Sequence, residues 1–346
     1  MCDQVFESQA RGLMAKVDAE VDVQVINAGK VRRYAHLNFW QHFTVSGLMW
    51  SNFKDLFKIG HGFFQSVAII KKFKPDVVFT KGGYVCLPVG AAAHFMRIPL
   101  VIHDSDTRPG LTNKLLSKWA DVIATGSPLD NYNYPKQKSH YIGVPISPSF
   151  KPKKAAEQKN AKKDLGFNPE RLLVVAVGGG LGARSINNAM NKASKSLLEQ
   201  GVGVYVVAGK SHYDEAVQGA PNDSRYKVVP FVYEGMDKLL GAADIVVSRG
   251  SATFLQELAG LGKATIIVPA HQLGDQRKNA QVFQAADAAI VVDNDGIETD
   301  NRLGGAILML ADDPVLRSEM GAKIHTFAKP KAASDLAGLI LTTAKR

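Results

Sequence analysis

Short apolar runs separated by helix-length stretches recur along this chain, and that alternation constrains the fold more than any other feature. The runs are VDVQVIN at 21–27, DVVFT at 76–80, PLVIH at 99–103, DVIAT at 121–125, LLVVAV at 172–177, VYVVAG at 204–209, DIVVS at 244–248 and TIIVP at 265–269. Most are continuously apolar over about five residues, which suits a parallel strand buried on both faces. Parallel strands need helical crossovers, so the pattern predicts an α/β chain built on doubly wound sheets. Residues 147–163, SPSFKPKKAAEQKNAKK, interrupt it: they are rich in Lys and Pro and poor in apolar side chains. That composition reads as a linker running into a solvated helix start. The expected division is a first domain at 1–147, a linker at 148–164, a second domain at 165–325 and a C-terminal helix at 326–346 packing back toward the first domain.

An internal echo supports two similar halves. PDVVFTKG at 75–82, followed by RIPLVIH at 97–103, matches ADIVVSRG at 243–250, followed by GKATIIV at 262–268. Each copy reads strand, tight Gly turn, helix, strand. Two Rossmann-like domains facing a cleft are expected, with ligands at the carboxyl ends of the strands. The 346 residues carry a net charge of +10, which favours an anionic partner: nucleic acid, acidic lipid or a phosphorylated small molecule. Two cysteines, Cys2 and Cys86, are too few for a disulfide framework and point to a reducing compartment. No apolar run reaches the ~18 residues of a membrane span, and the N-terminus lacks the pattern of a secretion signal.

Three segments carry chemistry. The first is VGGGLGAR at 177–184, which follows a strand and opens a helix. Glycines there let backbone N–H groups approach an anion beside a positive helix end, the make-up of a diphosphate cradle. It is not a P-loop, because no Gly-Lys-Ser/Thr ending is present. The second is SRGSATFLQE at 248–257, where Glu257, one to two turns into a helix, can accept both hydroxyl protons of a ribose. The third is HQLGDQRKNA at 271–280, in which Gln276 and Asn279 share a helical face suited to sugar hydroxyls.

In this order and spacing the three segments resemble the donor-binding domain of the MurG family. Its members are GT-B glycosyltransferases that add N-acetylglucosamine (GlcNAc) from UDP-GlcNAc to undecaprenyl-diphospho-muramoylpentapeptide, converting lipid I to lipid II in peptidoglycan synthesis. KGGYV at 81–85, IPLVIHD at 98–104, PGLTNK at 109–114 and GVP at 143–145 look like that family's successive N-domain motifs. The resemblance covers essentially the whole chain. It implies the diphosphate and ribose near Gly179, Gly180 and Arg184, the uracil near Val232, and the ribose on Glu257 with Ala252, Thr253 and Phe254 in the same turn. It places GlcNAc hydroxyls on Gln276, with Asn279 close by. Gly82, Gly83, Tyr84, Asp106 and Asn113 would line the acceptor side. His103 and Asp104, at a strand end, are the candidates for the catalytic base. No metal or other cofactor is expected, although Asp104-Ser105-Asp106 has the form of a DxD motif.

The chain departs from the family pattern at Gly180, usually Ser, at Asp106, usually Asn, and at Ser147, usually Arg. It also begins where the family's second strand ends, so the opening strand and its Gly-rich loop are expected to be absent and transfer by this chain to be impaired. Residues 30–74 hold eight Lys or Arg against one Asp, interleaved with nine aromatics between Tyr34 and Phe64. Trp40, Phe43, Leu48, Trp50 and Phe53 with Arg32, Arg33 and Lys54 would suit a peripheral surface dipping into an anionic leaflet. The expected setting is the cytoplasmic face of the cell membrane, with lipid I and other cell-wall synthesis proteins as partners and no nucleic acid. A different GT-B UDP-sugar transferase, a nucleotide-sugar epimerase and a catalytically impaired donor-binding fragment remain open alternatives.

Overall fold

The computed structural model describes residues 1–15, 17–29, 46–179, 182–270 and 273–345, with the side chains of 46–52 and 274 outside that description. Arg32, Arg33, Trp40, Phe43 and Gly180 lie outside the described residues, as do the side chains of Leu48 and Trp50. The described chain forms two compact units, one of residues 1–142 with 334–346 and one of residues 143–333.

The second unit is built on strands β5 (Leu173–Val177), β6 (Gly203–Val207), β7 (Tyr226–Val229), β8 (Ile245–Ser248), β9 (Ala264–Ile267) and β10 (Ile290–Val291). They pair in parallel in the order β10-β9-β8-β5-β6-β7. The chain winds outward from β5 through β6 and β7, then returns to place β8 on the other side of β5. That reversal opens the sheet at the carboxyl ends of β5 and β8, where the loops leave toward opposite faces.

Strand alternation sends Val174 and Ala176 of β5 into one core and Leu173, Val175 and Val177 into the other. Ile186, Met190 and Leu197 of α6 (Arg184–Glu199) fill the first, at spacings that place them on one helical face. Leu255 and Leu258 of α9 (Ala252–Leu261) fill the second, together with Leu240 of α8 (Met236–Ala242). The unit also holds α7 (Tyr213–Gln218), α10 (Gly274–Ala285), α11 (Arg302–Asp312) and α12 (Pro314–His325).

The Lys-rich segment read as linker and solvated helix start carries α5 (Ala155–Asp164), a mostly exposed helix of the second unit. Its Lys162 is 4% exposed, pairs with Asp244 at 2.6 Å and donates to the Arg171 carbonyl. A long apolar stem let a residue that looked solvated become an internal anchor.

In the first unit β1 (Val78–Thr80), β2 (Leu100–Asp104), β3 (Val122–Thr125) and β4 (Ser139–Tyr141) form a parallel sheet in sequential order. Helices α3 (Cys86–Phe95) and α4 (Leu111–Leu116) are the crossovers, and α1 (Glu7–Met14) and the 28-residue α2 (Ser46–Phe73) precede the sheet. Leu336 of α13 (Ala332–Ala344) packs with Ala124 and Ile142 of this unit. The run at 21–27 does not become a full strand. It makes one bridge, Cys2 with Val25, because Asp3 caps a helical turn by accepting from the Phe6 N–H and carries the chain away. Strands β4, β7 and β10 were not legible, being short and partly polar or half exposed.

Candidate active site

The donor-type pocket of the second unit sits at the topological reversal. Val177, Gly179, Arg249, Ser251, Thr253, Phe254 and Glu257 line a cavity of about 230 Å³. The loop after β5 supplies its backbone wall. Gly179 has φ +84° and Gly182 has φ +79°, a region that L side chains avoid. At Gly182 a Cβ would stand 2.2 Å from the Ala208 carbonyl oxygen, so the loop can fold this tightly only with glycine there. The loop then enters the first turn of α6, whose unpaired N–H groups face the same end of the sheet.

Glu257, two turns into α9 from the opposite loop, is half-buried, and that burial pushes its carboxyl up to about 7. A carboxyl in that state is poised to accept hydroxyl protons once ionised. Thr253 and Phe254, in the first turn of α9, form the adjoining wall.

Other expected donor residues lie around this pocket rather than on its lining. Arg184, at the start of α6, is largely exposed and pairs with Glu215 of α7 at 2.7 Å. Asn279 is buried and donates from Nδ2 to the Gly250 carbonyl at 3.0 Å. Gln276 accepts from the Ala270 N–H through Oε1. Asn279 thus braces α10 against the turn that carries Arg249 and Ser251, and Gln276 braces it against the loop after β9. Val232 lies in the loop between β7 and α8, packed on the second core, and Ala252 opens α9 half-buried.

The first unit carries its own pocket, of about 410 Å³, at the carboxyl ends of β1 and β2. Gly82, Gly83, Tyr84, Asp104, Asp106 and Asn113 are on its lining. Tyr84 donates its hydroxyl proton to Asp3; burial, then Asp3 itself, push the phenol up to about 12. Asp104 accepts from Tyr134 Oη at 2.7 Å. Burial raises its carboxyl to about 6, against the opposing pull of hydrogen bonds from Tyr134 and Asn113. Asn113 donates to the His103 carbonyl at 3.0 Å, while its Oδ1 is buried without a hydrogen-bond partner among the described residues.

The two strand-end candidates therefore part company. Asp104 reaches the pocket, whereas His103 is wholly buried, is absent from the lining, and has Nδ1 3.3 Å from Ser105 Oγ. Tyr134 and Arg249 escaped sequence reasoning as site residues. Arg249 stood in plain view directly after a strand, but Tyr134 belongs to no motif.

Two parallel-sheet α/β units, one with a Gly-rich loop and an acidic residue at its topological reversal, define a protein of the GT-B class. The comparisons agree: the glycosyltransferase family 28 N-terminal domain matches residues 9–125 and the family 28 C-terminal domain matches residues 173–336. The UDP-N-acetylglucosamine–N-acetylmuramyl-(pentapeptide) pyrophosphoryl-undecaprenol N-acetylglucosamine transferase of Shouchella clausii is 34% identical over 261 residues, 75% of this chain and 68% of its own. The enzyme of the same name from Geobacillus kaustophilus is 33% identical over 306 residues, 88% of this chain and 80% of its own. The crystal structure of Acinetobacter baumannii MurG superposes with a TM-score of 0.68 at 24% identity, over 83% of this chain and 79% of that one. The chain belongs to the MurG family of N-acetylglucosaminyltransferases. A UDP-GlcNAc 2-epimerase from Neisseria meningitidis shares the fold, with a TM-score of 0.62 at 12% identity over 82% of this chain and 81% of that one.

Proposed function

We propose that this chain moves GlcNAc from UDP-GlcNAc to the undecaprenyl-linked muramoyl-pentapeptide acceptor, the lipid I to lipid II step of peptidoglycan synthesis. The observation that carries the reading is the pocket of the second unit, where the tight glycine loop and Glu257 stand on two sides of one cavity. The loop N–H groups and the α6 N-terminus suit a diphosphate, and the Glu257 carboxylate suits the vicinal diol of a ribose. Gln276 and Asn279 shape the turn beneath the sugar end. The acceptor hydroxyl attacks the anomeric carbon, UDP leaves, and the hydroxyl proton must be removed as the bond forms. Asp104 is the group of the first unit's pocket suited to take that proton, because its raised pKa lies near working pH. His103 supports its strand from within the core.

Incubation with radiolabelled UDP-GlcNAc and a lipid I analogue tests the assignment. Label in a disaccharide product supports it, whereas a 2-epimerised nucleotide sugar formed without acceptor would assign the pocket to epimerase chemistry.

The acceptor's lipid tail directs attention to α2. Phe53, Leu56, Phe57 and Phe64 are each more than half exposed and fall at spacings that give one helical face. Phe63 carries the aromatic surface across to Phe95, at 5.8 Å between ring centroids, and Phe95 is 70% exposed. Lys54, Lys58, Lys71, Lys72 and Lys74 lie along or just beyond the same helix. No helix among the described residues is long and apolar enough to cross a membrane. Aromatics flanked by lysines are instead the make-up of a surface that rests in an anionic leaflet, here the cytoplasmic face where the acceptor is offered.

A further inference from the structure

The cation that faces the donor pocket is Arg249, and its surroundings are unusual for a half-buried charge. It follows β8 directly and lines the cavity together with Gly179 and Glu257. Its Nη1 donates to the Val268 carbonyl at 3.1 Å and to Asn294 Oδ1 at 2.7 Å, and its Nη2 donates to Ser185 Oγ at 2.9 Å. All three acceptors are neutral. A guanidinium has five N–H groups, so these bonds leave Nε and one Nη2 hydrogen without a protein acceptor among the described residues. No carboxylate among them forms an ion pair with it, Glu257 of the same pocket included. Burial alone disfavours its charged form, with no neighbouring anion to offset it.

The position compounds the cost. Ser185 is in the first turn of α6, so the guanidinium is fastened beside a helix end that is itself positive. Folding has placed two positive elements together and oriented one of them through three segments of chain. A buried charge without a counter-ion opposes folding, and such local cost is commonly retained where a ligand supplies the missing charge. Arg184, the cation that the motif brought forward, is in the opposite situation: exposed and already neutralised by Glu215.

We infer that Arg249 is the residue that receives the donor's diphosphate, with Ser185 and Asn294 as positioning residues that fix the direction of its free N–H edge. The inference rests on the reading of this pocket as a nucleoside-diphosphate-sugar site and adds the group that binds its charge. As the sugar departs, the same guanidinium faces the growing charge on the leaving diphosphate.

Calorimetry on the full chain with UDP and with uridine separates the possibilities. Arg249→Gln is expected to weaken UDP roughly 10- to 100-fold, the range for charge-assisted hydrogen bonds, while uridine affinity changes less than about twofold. Arg249→Lys keeps the charge without the fork and should recover part of the loss. Equal losses of UDP and uridine in Arg249→Gln would mean a purely structural brace and overturn the inference. So would UDP affinity unchanged in that variant. Failure of the unmodified chain to bind either ligand would instead overturn the nucleotide reading of the pocket itself, and the inference with it.

Discussion

Glu257 and Asp104 are both carboxyls raised by burial, to about 7 and about 6, and each gives a pH signature. A ribose diol donates to a carboxylate, so uridine binding should require ionised Glu257 and weaken by roughly tenfold per unit as pH falls below about 7. Calorimetry between pH 5.5 and 8.5 measures that slope, and Glu257→Gln should abolish it along with most of the affinity. Asp104, acting as base, must also be ionised. The kcat/KM of transfer should then fall below about pH 6, and Asp104→Asn should lower kcat by at least about 100-fold. For stability the sign is opposite. The folded chain holds protons on these groups that the unfolded chain has released above about pH 4.5, so their contribution is fullest below that value and is lost as pH rises through 6 and 7. Glu257 was legible because its offset from a Gly turn is a local pattern. The role of Arg249 was not, since its three partners lie 19, 45 and 64 residues away in sequence.

Among the elements, the loop between β5 and α6 and the helix α5 show how much a single residue can hold. Gly182→Ala would drive a Cβ against the Ala208 carbonyl in a backbone region closed to alanine. It should cost about 1–3 kcal/mol and weaken UDP more than uridine, because the loop shapes the phosphate end. Lys162→Ala would strip the cation from half-buried Asp244 and remove the Nζ bond to the Arg171 carbonyl. The expected destabilisation is about 3 kcal/mol, read by denaturant unfolding. On α2, Phe57→Ser with Phe64→Ser should remove most of the binding to anionic vesicles that survives high salt. The salt-sensitive part, carried by lysines, should remain. Equal binding of the double variant at every ionic strength would reject the interfacial role. The strands that sequence missed, β4, β7 and β10, are sheet-edge strands that stay partly exposed, so their own residues carry no continuous apolar signal.

For the whole molecule, the two units carry separate hydrophobic cores and should unfold as separable transitions. UDP, binding within residues 143–333, should raise the transition of that unit alone. The gain is about 2.7 kcal/mol at a ligand concentration of 100 times Kd. Heating with and without UDP, followed by limited proteolysis to identify the surviving fragment, measures this. Equal protection of both units would contradict a donor pocket confined to the second.

The α/β class, seven of the strand positions and the Gly-rich turn of the donor pocket were determined by sequence alone. Each is a local matter of apolar period, helix-length spacing or a residue type with singular backbone freedom. Tertiary structure decided what depends on contacts between distant segments. It anchored the lysine-rich helix through buried Lys162 and reduced the run at 21–27 to a bridge. It also set buried Asp104 on a pocket wall that His103 does not reach and directed Arg184 outward to Glu215, leaving Arg249 facing the pocket. Charge and burial are properties of neighbourhoods, and neighbourhoods exist only once the chain has folded.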